Sequence, residues 1–164
     1  MPTTNVIRVM PYRIIREATE QDINDLLDHF IAISREEINN TGVRQGMIPT
    51  SEEIVNMIAE YALRPNSAFF VAEINQQIVG YIKITGGRTK FDWHIVELSL
   101  NINPGFRGQG IGSDLIDNAL SWARQQGLIK KVKLEVLTRN DAAIRLYQRY
   151  GFGIEGRLYE AYYL

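Results

Sequence analysis

Cysteine is absent from this sequence, which removes disulfides, zinc-thiolate sites and a cysteine nucleophile together. Histidine is scarce: His29 and His94 are the two present, too few for a histidine-rich metal centre, so no metal is expected. No run reaches the ~18 apolar residues of a membrane span. The opening MPTTNVIRVM also lacks the charged start and apolar core of a signal peptide. An excess of charge of one sign is missing too, since 18 basic against 19 acidic residues leave a net charge of −1. Without a basic field, neither nucleic acid nor an anionic membrane is an expected partner, and a cytoplasmic location is expected.

What is present suits one compact unit. A chain of 164 residues, 45% of them hydrophobic, can bury roughly two thirds of its unfolded surface around a single core. A single domain over 1–164 is expected, with 1–11 as an N-terminal extension. YRIIREAT (12–19) reads as a strand, and Thr19 with Asp22 forms a capping-box-like start to a helix whose Ile23, Leu26, Leu27, Phe30 and Ile31 share one face. That helix is expected to end near Glu37, before a loop over 38–49. Thr50 or Ser51 then caps a second helix with an apolar stripe of Ile54, Met57, Ile58 and Tyr61.

From Ala68 the periodicity changes. AFFVAEI and IVGYIKIT are β-rich runs joined by the short polar NQQ, which predicts an antiparallel hairpin. HIVELSLNI (94–102) is a further strand, with Leu98, Leu100 and Ile102 on one face and Glu97, Ser99 and Asn101 on the other. A helix follows the glycine cluster and carries Ile111, Leu115, Ile116, Ala119, Leu120 and Ala123, with Gly127 as its C-terminal stop. KVKLEVL (131–137) is a strand, NDAAIRLYQRY (140–150) a helix and EGRLYEAYYL a closing strand. This order predicts an α+β, or mixed α/β, domain built on one sheet.

The segment NPGFRGQGIG, leading from a strand into a helix, has the makings of an anion site. Unpaired N–H groups project from a first helical turn, and the helix dipole favours negative charge there. Two phosphate motifs fail on spacing. A P-loop needs Gly-Lys-Ser/Thr after Gly105-x-x-x-x-Gly110, where Ile111 and Gly112 stand, and a dinucleotide fingerprint from Gly108 and Gly110 needs a third glycine at Ser113. Arg107-Gly108-Gln109-Gly110-Ile111-Gly112 fits Arg/Gln-x-x-Gly-x-Gly/Ala. It resembles the pyrophosphate loop of the GNAT superfamily of N-acetyltransferases. Asn140, Ala143, Leu146 and Tyr147, followed by Gly151 and Phe152, resemble that family's later motif, in the family's order.

The resemblance implies a single mixed, mostly antiparallel sheet flanked by about four helices, with a cofactor cleft between the fourth and fifth strands. It implies acetyl-CoA as cosubstrate, wrapped at its diphosphate by Arg107, Gly108, Gln109, Gly110, Ile111 and Gly112. Leu100, Asn101 and Ile102 would offer backbone groups to the pantetheine, and Asn140 would bond the cofactor arm. The implied activity is transfer of acetyl from acetyl-CoA to a primary amine of a small molecule or of a peptide or protein N-terminus, by direct attack in a ternary complex. The alternative is a non-catalytic acyl-CoA-binding regulatory module.

Such a transfer needs a base for the amine and a proton donor for the thiolate. Glu97, ten residues before Arg107, and Glu135, five before Asn140, both resemble base positions in the family, and the sequence does not separate them. Tyr147 is the expected acid and also a cofactor contact. A hydrolase triad through His94 and Ser99 is disfavoured, since no Gly-x-Ser-x-Gly elbow exists. Lys130–Lys133 reads as a solvated strand start. Glu36, Glu37, Glu52 and Glu53 are either helix caps or a field for a cationic acceptor. Family members usually end in a two-strand hairpin, so the final strand is expected to be missing or supplied by a partner, with a homodimer as one outcome.

Overall fold

A computed structural model describes residues 12–36 and 48–159. Among these residues five strands form one sheet in the order β1-β2-β3-β4-β5: β1 Arg13–Glu17, β2 Ala68–Ile74, β3 Gln77–Gly86, β4 Ile95–Ile102 and β5 Lys131–Lys133. Every pairing is antiparallel except β4 with β5, which run parallel. Four helices accompany them: α1 Ile23–Ser34, α2 Ser51–Leu63, α3 Ile111–Gln125 and α4 Asp141–Arg149. None of the helices is long and apolar enough to cross a membrane among the described residues.

Local chemistry explains most boundaries. Thr19 and Asp22 form the expected capping box, ahead of a 3-10 turn over Glu20–Asp22 that leads into α1, and Thr50 and Glu53 form another at α2. Asn75 and Gln76 both take positive φ, 50° and 65°, the signature of a two-residue hairpin turn whose twist suits the strands it joins. A register shift between Ala72 and Glu73 re-aims β3, so that Tyr81 and Ile78 pack with α1 and α2, while Val79, Ile82 and Ile84 pack with α3.

The sheet is therefore covered on both faces. On one side Leu26, Phe30, Ile33, Ile54 and Ile58 close over Phe69, Val71 and Tyr81. On the other, Ile111, Leu115, Ile116 and Ala119 close over Phe70, Ile82, Val96 and Leu98, with Tyr147 of α4 at the margin. Each fully buried Leu or Ile contributes about 1.5–3 kcal/mol by leaving water, so these two layers fix where the loops between them stand.

Three boundaries differ from the sequence expectation. α1 ends at Ser34 rather than near Glu37, where the Ser34 hydroxyl donates to the Ile31 carbonyl at 2.8 Å and competes with the helical ladder; Glu37 itself lies outside the described residues. β5 stops at Lys133 instead of 137, because its ladder to β4 holds three pairs, ending at Glu97 with Lys133, and no other strand flanks it among the described residues. The expected closing strand is not present over 155–159, and 160–164 lie outside the described residues, as do 1–11 and most of the loop over 38–49.

Candidate active site

The end of the β4–β5 ladder defines the site. Beyond Glu97 and Lys133 the two strands no longer pair, so the outer edge of β4 from Leu98 to Ile102 carries no strand partner among the described residues. Leu100, Asn101 and Ile102 lie on this edge segment, each half-buried. The chain then turns through Pro104–Phe106 into the glycine segment.

Gly108 and Gly110 take φ of 72° and 82°, a backbone that a side chain at either position would strain. Gly110 is the N-cap of α3 and offers no side-chain acceptor to the first turn. Among the described residues, the backbone N–H groups of Gly108, Gln109, Gly110, Ile111 and Gly112 donate to no protein acceptor. The Gln109 carbonyl, which would repel a phosphate, accepts instead from Arg13 Nη1 at 2.6 Å, and Arg13 also pairs with Asp114. Gly112 has a packing reason: a Cβ there would stand 3.3 Å from Leu146 and 3.7 Å from Leu100, so its absence lets α3 seat between β4 and α4. Arg107 Nε donates to the Ile102 carbonyl at 3.0 Å, and its guanidinium forms a two-pronged pair with Glu36 at 2.8 and 2.6 Å.

Asn140 caps α4, its side-chain oxygen accepting from Ala143 N at 3.2 Å, which leaves the amide NH2. Tyr147, one turn before the end of α4, is buried, and burial pushes its hydroxyl up to about 12. Gly151, at φ 86°, reverses the chain so that Phe152 N donates to the Tyr147 carbonyl and the two rings meet edge-on with centroids 5.8 Å apart. The Gly-Phe step thus holds Tyr147 in place.

The polar face of β4 looks into a cavity of about 440 Å³ lined by Lys83, Thr85, Glu97, Ser99 and Lys133, with Gly86, Gly87, Asp92 and Ile95 at its far end. Glu97 is half-exposed and pairs with Lys133 Nζ at 3.2 Å through one carboxylate oxygen. Glu135 is exposed, just past β5, and does not line this cavity. Asn101 donates to the Tyr81 hydroxyl at 3.1 Å, and burial holds that phenol well above its ordinary value. His29 lies against Tyr81 with ring centroids 5.4 Å apart, and neither of its nitrogens has a partner among the described residues. No cluster of metal-ligating side chains occurs among the described residues.

The model of the acetyltransferase (GNAT) family matches residues 29–152. The chain belongs to this family. A GNAT acetyltransferase from Streptococcus pneumoniae of known structure is 32% identical, with a TM-score of 0.89 over 93% of this chain and 92% of that one. "N-alpha-acetyltransferase RimI" of Mycobacterium tuberculosis is 36% identical over 58% of this chain and 60% of its own length. "Probable N-acetyltransferase camello" of Xenopus laevis is 35% identical over 62% of this chain and 45% of its own. The chain thus spans about half the length of these curated relatives.

On this GNAT frame, sequence reasoning missed Lys83, Lys133 and Arg13. Lys83 had a signal, a lone charge within the apolar run IVGYIKIT on the Tyr81 and Thr85 side. Lys133 was legible only as a solvated strand start, and its pairing with Glu97 depends on the parallel register of β4 and β5. Arg13 meets Gln109 across 96 residues of sequence, a contact no local pattern encodes.

Proposed function

We propose that this chain is an N-acetyltransferase that moves an acetyl group from acetyl-CoA to a primary amine, of a small molecule or of a peptide or protein N-terminus, by direct attack in a ternary complex. The observation that carries the reading is the row of unengaged amides from Gly108 to Gly112 at the start of a 15-residue helix, next to the unpaired edge of β4. The diphosphate fits this cradle: the amides supply donors, the glycines leave room for close approach, and the Gln109 carbonyl is occupied by Arg13. Bound acetyl-CoA supplies the activated acyl group.

The remaining roles belong to side chains and backbone of this chain. The edge segment Leu100, Asn101 and Ile102 serves the pantetheine as a short pseudo-strand, with the Ile102 carbonyl already accepting from Arg107 Nε, and one N–H polarises the thioester carbonyl. The NH2 of Asn140 bonds the cofactor arm. An alkyl amine with a pKa near 10 is mostly protonated at pH 7, so a carboxylate must take its proton, directly or through water. Glu97, which faces the cavity, suits that task better than Glu135, which does not.

Tyr147 keeps its proton throughout the physiological range, because its hydroxyl is pushed up to about 12. Full transfer of that proton to a thiolate of pKa about 8.5 would run uphill by about 5 kcal/mol. Its contribution is therefore a hydrogen bond to the departing sulfur, which weakens the developing charge without producing a free tyrosinate.

Calorimetric titration with acetyl-CoA, on the parent and on Gly110→Asp, tests the reading. The variant sets a carboxylate where the diphosphate approaches, within reach of Arg13, whose guanidinium lies 3.4 Å from the added Cβ. Micromolar binding by the parent, lost in a folded variant, is the expected result. No binding by the parent overturns it.

A further inference from the structure

One charge in the cavity stands unmatched. Lys133 is paired with Glu97, and Asp92 accepts from the Thr89 hydroxyl and amide at 2.7 and 2.8 Å. Lys83 forms no ion pair and no hydrogen bond among the described residues; its ammonium lies 5.7 Å from the centroid of the Tyr81 ring. It sits in β3 between Ile82 and Ile84, both fully buried, and is itself mostly covered. Burial draws its pKa below the ordinary lysine value with no carboxylate to oppose the shift.

A cation in such a place is costly unless something anionic pairs with it, because desolvation is unfavourable and the Tyr81 ring returns only a small part. An apolar residue would serve packing better on this strand. Since the ammonium lines an open cavity, the missing counter-charge can come from a ligand.

The register places the two charges relative to each other. Lys83 stands opposite Ser99 and Glu97 opposite Thr85, so Lys83 and Glu97 are diagonal neighbours on one face, with backbones about 7–8 Å apart. An amine presented to Glu97 and an anion presented to Lys83 then belong to one small molecule. Resting on the acetyltransferase reading, we propose that the acceptor is an amine that carries its own carboxylate, of the amino-acid class, and that Lys83 is the residue selecting for it. The α-amino group lies toward Glu97 and the carboxylate toward Lys83, with the Ser99 hydroxyl beside it. A peptide N-terminus presents a neutral amide at that position, and a polyamine presents a second cation; both leave Lys83 uncompensated.

The test compares the common L-amino acids with their carboxamides as matched pairs, in acetyl transfer and in calorimetric binding, for the parent, Lys83→Met and Lys83→Arg. The parent is expected to favour the free acid by about tenfold or more in kcat/KM, the worth of one charge-assisted hydrogen bond. In Lys83→Met that ratio falls toward one through a higher KM for the acid, and Lys83→Arg restores part of it. Binding of the acid that Lys83→Met abolishes supports the site even where no acetyl is transferred. A parent that acetylates carboxamides, peptides or polyamines as well as free acids overturns this proposal and leaves the transferase reading standing. Transfer to no amine, with no binding of any acid, overturns both.

Discussion

Tyr147 is 9% exposed and packs edge-on against Phe152, so its place in α4 is set by apolar contact. Its sequence motif marked the position, but burial decides the kind of chemistry. A group pushed up to about 12 donates a hydrogen bond and keeps its proton. Tyr147→Phe, which preserves the ring packing, should lower kcat by about ten- to a hundredfold with little change in the KM for acetyl-CoA. Steady-state kinetics check this, and an unchanged kcat removes Tyr147 from the mechanism. The contrast with Glu97 and Glu135 has the same origin. Both are acidic residues of strand-like segments, equal on paper, and one of them faces a cavity while the other stands beyond the end of the ladder.

At the scale of the element, the glycine segment and the helix it opens form one device, and β1 completes it. Arg13 begins the strand at the opposite edge of the sheet from β5, yet its guanidinium reaches Gln109 and Asp114, because α3 lies across the sheet face and its first turn comes within reach of that long side chain. The bond engages the Gln109 carbonyl, an acceptor that would oppose a nearby phosphate, and the ion pair offsets Asp114, whose charge in the first turn also opposes an anion. Arg13→Ala should therefore raise the dissociation constant for acetyl-CoA by about tenfold, while the far-ultraviolet dichroism stays that of the parent. Equal affinity in the variant would show that the loop keeps its shape unaided. The helix itself was readable from its stripe of Ile111, Leu115, Ile116 and Ala119, all buried as their spacing predicts. Its support from β1 was not readable, since that contact follows from how α3 crosses the sheet.

For the molecule as a whole, acid is the expected weakness. His29 is 2% exposed, with both ring nitrogens unpartnered among the described residues. Burial, helped by the nearby Arg107 charge, holds its pKa down at about 4, against an ordinary 6.5. Between those two values the unfolded chain binds a proton that the folded chain refuses, so folding is fully favoured above about pH 6.5 and loses stability as pH falls toward 4, by on the order of 3 kcal/mol. Asp22 acts in a lower window. Burial pushes its carboxyl up, but the Arg16 pair and the Thr19 bonds outweigh this and hold it below the usual carboxylate value, so its contribution is lost only in stronger acid. Urea unfolding at pH 5 and pH 7 should show a steep loss for the parent and a flatter one for His29→Leu, which removes the orphaned nitrogens as well. Equal slopes in the two proteins would place the acid sensitivity elsewhere.

The sequence by itself determined the parts that depend on neighbours in the chain. Capping pairs, the Asn75-Gln76 turn, the alternation that puts Glu97 and Ser99 on one face, and the glycines that need positive φ are all set within a few residues, where backbone sterics and side-chain period act. The family motifs were legible for the same reason, being local runs at a strand end and a helix end. Tertiary structure decided what depends on register and depth. That Lys83 stands without a counter-charge among the described residues, that Lys133 reaches Glu97, that Arg13 holds Gln109 and that His29 is sealed away all follow from which strand lies beside which and how far a helix covers them. A period of two tells a residue its face; only packed neighbours decide its dielectric surroundings and its partner, and those two set its chemistry.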